Sequence, residues 1–176
     1  TPPPMATRCT ELPDGGDIYL IEGGRNDRHY NVPFGRNNST NIREFTGAVN
    51  TIITRIRKNN PDALIVLVTP WSHKQESGYL GTNNAYADTM KTLAEYYQNE
   101  KNDKKTVVCL YAADESFTGI NMSDPVCRRK YCIGPSDVSH LNPDGMNLVE
   151  PIFEKWIAEQ YMTLKNIQPS PDDTDP

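Results

Sequence analysis

Two short clusters carry residue types that can do acyl chemistry. The later one runs Ser136-Asp137-Val138-Ser139-His140-Leu141-Asn142-Pro143-Asp144-Gly145, with a carboxylate three residues ahead of an imidazole and a helix start directly after. A histidine acting as general base needs a partner that fixes its tautomer and supports its positive charge, and a loop aspartate at this spacing can reach Nδ1. The same pair also fits a helix cap beside a solvated ring, because Asp side chains readily bond nearby backbone N–H groups. The earlier cluster is Gly23-Gly24-Arg25-Asn26-Asp27, closing an apolar run. Its glycines allow a tight exit from a strand and present Asn26, whose amide can donate to a developing oxyanion. A strand-ending turn in which Asn and Asp satisfy local backbone is the plainer reading of that cluster alone.

Both clusters need a scaffold, and the hydrophobic pattern supplies one. The run Asp17 to Glu22 is short, apolar and β-branched, then stops at Gly23-Gly24, as a buried parallel strand does. After an Asn/Gly loop, Asn41 and Glu44 have the spacing of a capping box. Ile42, Phe45, Val49, Ile52, Ile53 and Ile56 follow at helical intervals up to Asn59-Asn60-Pro61. Ala63 to Thr69 is apolar without alternation, which predicts a strand covered on both faces, closed by Pro70. Tyr86, Met90, Leu93 and Tyr97 share a face of a second helix, and Thr106 to Tyr111 supplies a third strand. A long irregular stretch, Ala112 to Leu141, precedes a last helix opened by Asn142 as cap and Pro143 as first residue. Met146, Val149, Ile152, Phe153, Trp156 and Ile157 form its expected buried face, with a kink at Pro151.

Strands alternating with helices predict right-handed crossovers and a parallel sheet between helix layers, a three-layer α/β/α sandwich of flavodoxin-like type. Three strands that each read as buried on both faces make a thin sheet, so opening strands are expected from sequence preceding Thr1. Without them the chain should expose an apolar sheet edge and be unstable or aggregate. Ligands of such sheets bind at the carboxyl ends of the strands, which is where both clusters fall.

Together the two clusters resemble blocks of the SGNH (GDSL-type) hydrolases. The family's third block, Gly-x-Asn-Asp after a buried strand, is matched by Gly24-Arg25-Asn26-Asp27, and its fifth, Asp-x-x-His continued as Leu-Asn-Pro-x-Gly, by Asp137 to Gly145. Their order, separation, preceding strand and following helix agree over about residues 12 to 162. The resemblance implies residues 1–165 as the C-terminal part of a single SGNH domain. It makes His140 the base that activates a serine, Asp137 its orienting carboxylate, Asn26 an oxyanion donor and Gly24 the residue that shapes the turn. The implied reaction is hydrolysis of a small acyl ester, an O-acetyl group on a glycan being the favoured case, through an acyl-enzyme and without metal or organic cofactor.

The family's first block, Gly-Asp-Ser, has no match: Gly15-Gly16-Asp17 is followed by Ile18. Ser72 and Ser116 follow strands but sit on no strand-to-helix elbow. Three explanations belong to different classes: a hydrolase whose serine lies on an upstream segment or a second chain; a non-catalytic carbohydrate-binding or structural relative; and a metal site of Cys127, Cys132, His140 and Asp137, whose spacing matches structural zinc poorly.

Composition narrows the setting. A net charge of -5, with Asp172, Asp173 and Asp175 near the end, argues against a nucleic-acid partner. Arg55, Arg57 and Lys58, and the run Lys101 to Lys105, read as solvated charge. No apolar run approaches the roughly 18 residues of a membrane span. Cys127 and Cys132 have a spacing open to a small disulfide, Cys109 reads as a buried strand thiol, and Cys9 lies near the start. Sequons at Asn37, Asn38 and Asn121 and a non-initiator start at Thr1-Pro2-Pro3-Pro4 suggest a processed, extracytoplasmic protein. Residues 166–176 read as a disordered acidic tail. His29 and Tyr30 are pocket or solvent residues, His73 and Trp71 are candidates for sugar stacking or helix packing, and Arg25 either holds an anionic or polar substrate group or pairs with Asp27.

Overall fold

The computed structural model describes residues 5–71, 83–103, 106–137 and 139–166. Strands β1 (Ile18–Glu22), β2 (Leu64–Val68) and β3 (Val107–Leu110) form one parallel sheet in the order β1-β2-β3. The register pairs Leu20 with Val66 and Val66 with Val108. Parallel neighbours require crossovers, and here they are helices. A short helix α1 (Met5–Arg8) precedes β1, α2 (Arg25–His29) follows it, and α3 (Phe45–Asn59) leads into β2. Helix α4 (Asn83–Asn99) leads into β3, and α5 (Glu115–Thr118), α6 (Pro125–Tyr131) and α7 (Pro143–Lys165) complete the chain.

The layers follow from which side chains each strand turns to each face. Tyr19, Ile21, Ile65, Leu67 and Val107 meet Val49, Ile53, Met90 and Leu93 of α3 and α4. Leu64, Val66, Val108 and Leu110 point the other way, onto Phe153, Trp156 and Ile157 of α7. Leu64 to Leu67 are wholly buried, each side chain contributing about 1.5–3 kcal/mol of transfer free energy, which makes β2 the spine of the fold. This is the expected three-layer α/β/α arrangement.

The structure departs from the sequence pattern in several places. β1 is an edge strand whose residues alternate, with Ile18 38% and Leu20 58% exposed, because α7 covers β2 and β3 but stops short of β1 on that face. Helix α3 starts at Phe45, not at Asn41. The Asn41 carbonyl accepts from Glu44 N at 2.9 Å and the Glu44 carboxylate accepts from Ser39 Oγ at 2.6 Å, so these residues close a turn ahead of the helix, leaving Ile42 exposed. The stretch from 112 to 141 contains α5 and α6, each opened by an Asp cap, Asp114 and Asp124. Helix α7 continues through Pro151 as one element, and Met146 lies on its outer side, 57% exposed. Arg57 is not solvated charge: it pairs with the buried Asp103 and donates to Thr106 Oγ1 at 2.8 Å, while Arg55 reaches Asp14 at 3.5 Å. Among the described residues no helix is long and apolar enough to cross a membrane. Residues 167–176 of the expected tail lie outside the described residues, and Asn166 ends α7 in a left-handed conformation.

Candidate active site

At the end of β1 the chain turns at Gly24, whose φ of 102° is a conformation that L side chains rarely adopt. A Cβ there would stand 2.9 Å from Tyr86 Cβ and 3.3 Å from Pro70 Cδ, so the backbone runs directly against α4 and the end of β2. The turn opens the short helix α2, and Gly24 N donates to Asp27 Oδ2 at 3.2 Å. Burial pushes the half-buried Asp27 carboxyl above the usual carboxylate range, against the opposing effect of the Gly24 N–H. Tyr86 fastens the far side of α2 by donating to the Val32 carbonyl at 2.6 Å. Asp27 therefore satisfies the local backbone, while the exposed Asn26 amide makes no hydrogen bond among the described residues. The Asn26 backbone is held by Tyr30 N, which donates to its carbonyl at 2.9 Å, and its side chain is exposed.

The histidine turn is built on α6 and the start of α7. Cys132 and Leu141 form an antiparallel bridge, Ile133 N donates to the His140 carbonyl at 3.1 Å, and Asn142 N donates to the Tyr131 carbonyl at 2.9 Å. Asn142 caps α7 by accepting from Gly145 N at 2.9 Å, and its amide donates to the carbonyls of Lys130 at 2.9 Å and Cys132 at 3.2 Å. Gly145 is a glycine because a Cβ there would collide with the Tyr131 carbonyl. The Leu-Asn-Pro-x-Gly run is therefore a fastening for the turn as well as a helix start. The sequence pattern missed this pairing, although the β-prone triplet Tyr131-Cys132-Ile133 ahead of Gly134-Pro135 is its local signal.

Within the turn, Asp137 Oδ2 lies 2.9 Å from His140 Nδ1, and Oδ1 accepts from Ser139 N at 2.7 Å and His140 N at 2.9 Å. Partial burial raises the Asp137 pKa, but the hydrogen bond to the His140 ring and those from the backbone outweigh it, and the carboxyl titrates below its ordinary value. The His140 side chain is 56% exposed, and its other nitrogen meets no partner among the described residues. This is an imidazole paired with a carboxylate through one ring nitrogen, its other nitrogen without a partner among the described residues, an arrangement that suits a general base. Among the described residues one bond joins the two clusters: Arg25 Nε donates to Ser139 Oγ. Arg25 thus bonds neither Asp27 nor any other carboxylate among the described residues.

The remaining candidates separate clearly. Ser116 donates to Asp114 at 2.6 Å within the cap of α5, and Ser72 and His73 lie outside the described residues. Trp71 stacks on Phe153 at 5.9 Å, so helix packing accounts for it. His29 and Tyr30 are exposed and meet edge to face at 4.9 Å. Cys127 and Cys132 are free thiols, Cys132 lying buried 3.2 Å from the Met122 sulfur. Five residues along a helix place two Cα atoms about 8–9 Å apart, beyond the reach of a disulfide, and α6 imposes that separation. Among the described residues no three His, Cys, Asp or Glu side chains converge as a metal site, so Cys127, Cys132, Asp137 and His140 do not gather as one.

No family model matches the chain, and no curated protein matches it in sequence. Solved structures do: one crystal structure superimposes with a TM-score of 0.71 at 27% identity, covering 88% of this chain and 69% of its own. A protein from Lactobacillus plantarum gives 0.69 at 18% identity, covering 88% and 73%. A protein described as a possible lipase from Chitinophaga pinensis gives 0.48 at 21% identity, covering 82% and 61%. The first two share the α/β fold of this chain.

Proposed function

We propose that this chain carries the base and the oxyanion donor of an SGNH-type serine esterase acting on a small O-acyl ester, an acetyl group on a carbohydrate being the favoured substrate. The observation that carries the reading is the Asp137–His140 pair, 2.9 Å between Oδ2 and Nδ1, with the other imidazole nitrogen unpartnered among the described residues and the Asn26 turn tied to the pair through Arg25 and Ser139. In this reading a serine hydroxyl passes its proton to His140 as it attacks the ester carbonyl. The Asn26 amide donates to the oxyanion, and His140 returns the proton to the leaving alcohol. Water then repeats the sequence on the acyl-enzyme. Asp137 holds the ring in the productive tautomer, and Gly24 lets the Asn26 turn seat against α4.

The serine comes from an upstream segment or a separate chain. A strand laid parallel along the open edge of β1 would end beside Gly23 and Gly24, at the same end of the sheet as Asn26, and its own crossover helix would cover Ile18 and Leu20. A second reading, a non-catalytic carbohydrate-binding or structural relative, is favoured by one observation: no hydroxyl among the described residues bonds the His140 ring. Intact-mass spectrometry after treatment with a fluorophosphonate separates the two. Label on a serine of a co-purifying or upstream segment supports the esterase. An unlabelled chain together with unchanged ester turnover in His140→Ala removes that reading.

A further inference from the structure

We infer that Arg25 is a positioning residue: it clamps the turn that carries Asp137 and His140 against the turn that carries Asn26, by way of Ser139. This rests on the esterase reading of the site for its kinetic consequence, but not for its structural one. Among the described residues the Asp137–His140 pair is self-contained, because there the carboxylate accepts only from groups of its own turn: Ser139 N, His140 N and His140 Nδ1. Those bonds fix the imidazole relative to Asp137 and say nothing about where the pair stands relative to the sheet. The base of the turn is fastened on the side of α6 and α7, through the Cys132–Leu141 bridge and the Asn142 amide, and Arg128 Nε holds the Pro135 carbonyl at 3.1 Å. Toward β1, the hydrogen bond that crosses from the histidine turn among the described residues is Arg25 to Ser139, between residues 114 apart in the chain.

The Arg25 end of this bond is itself anchored. Its backbone follows Gly24, which is wedged against Tyr86 and Pro70, and the neighbouring Asp27 carboxylate accepts from Gly24 N rather than from the guanidinium. A bond from Nε, which is placed by one side-chain torsion fewer than the terminal nitrogens, couples α2 to the turn, and the planar head loses little further entropy in forming it. One exposed hydrogen bond adds little to global stability. A misplacement of about 1 Å between an oxyanion donor and a base, however, can cost on the order of 10²-fold in rate.

The test is a double-mutant cycle, Arg25→Ala, Ser139→Ala and the pair together, read on the 176-residue chain by ¹⁵N relaxation. Each single change is expected to lower the backbone order parameters of Ser139 and His140 from about 0.85 toward about 0.6, and the double change to lower them no further. The Asp137 titration and the melting temperature should stay as they are. Order parameters that do not move, or that fall additively, overturn the clamp. Where the serine-bearing segment is present, Arg25→Ala should lower kcat about 10- to 100-fold at constant KM, with the pH profile unmoved and Arg25→Lys recovering part of the loss. A raised KM at constant kcat would make Arg25 a substrate contact and overturn the positioning role. Absence of ester turnover in every form would sink the esterase reading and leave the relaxation cycle to decide the clamp.

Discussion

A methyl group placed on Gly24 would stand 2.9 Å from the Cβ of Tyr86, and Gly24 has a φ of 102°. The seat of the Asn26 turn therefore depends on a residue without a side chain, and on a tyrosine 62 positions later whose hydroxyl holds the Val32 carbonyl. Gly24→Ala should cost about 1–3 kcal/mol in backbone strain alone, and the overlap with Tyr86 adds to it because a Cβ cannot swing aside. The thermal midpoint should fall by roughly 5 °C or more for a chain of this size, which calorimetry measures directly.

The two aspartates of the site should titrate on opposite sides of the ordinary value of about 3.9. The pKa of Asp137 is lowered in the folded chain, so its contribution to stability is present above the unfolded value and is lost as pH falls through the folded one. That of Asp27 is raised by burial, so its contribution is present below the unfolded value and is lost as pH rises through the folded one. Carboxyl ¹³C titrations by NMR read both directly. Two midpoints on the same side of 3.9 would contradict the geometry of one of the two turns.

Asn142 has two jobs, and they can be separated. Asn142→Ala should lose the cap of α7, about 1 kcal/mol, and a comparable amount for the Lys130 and Cys132 carbonyls left without their donor. Asn142→Asp keeps the cap acceptor but turns a carboxylate oxygen toward those carbonyls, and should be no more stable than the alanine variant. Urea midpoints for the pair check this; full recovery by Asp would reduce Asn142 to a cap.

The outer face of β1 should be a liability in the isolated chain. Leu20 is 58% exposed on an edge strand, a combination that invites strand addition by another molecule. Leu20→Lys is expected to lower light scattering at high protein concentration without lowering the thermal midpoint. A marked loss of stability would mean that Leu20 packs against the rest of the chain more than its exposure indicates.

Where the nucleophile-bearing segment is present, His140→Ala should abolish turnover and Asn26→Ala should cost on the order of 10²–10³ in kcat, as for loss of one oxyanion donor. The Asn26 side-chain amide makes no hydrogen bond to the rest of the protein among the described residues, so its loss should leave the melting temperature unchanged. That pairing of a large rate effect with no stability effect is what steady-state kinetics and calorimetry together would check.

Much of this molecule is legible in its sequence, for reasons that are local. The unbroken apolar run from Leu64 to Val68 can only be a strand covered on both faces, and the isoleucines and valine of α3 recur at the period of a helix. The glycine and asparagine after β1, and the Asp-x-x-His spacing ahead of Asn142-Pro143, mark two turns whose internal bonds span three residues or fewer, and such bonds depend on nearest neighbours alone. The Asn41–Glu44 spacing misled for a related reason: the same side chains that cap a helix also close a turn, and here Phe45 N and Thr46 N donate to the distant carbonyls of Pro33 and Phe34 where the helix begins.

What the tertiary structure alone decided are relations between residues far apart in the chain. Covering of β1 on one face but not the other depends on how far α7 reaches across the sheet, and no pattern within β1 records that. Cys127 and Cys132 look ready to bond until α6 winds between them and sets their separation. The joining of Arg25 to Ser139 follows from the strand order β1-β2-β3 and from the path of the chain after β3. A sequence pattern can name the groups that do chemistry, but the distance between two of them is set by everything packed in between.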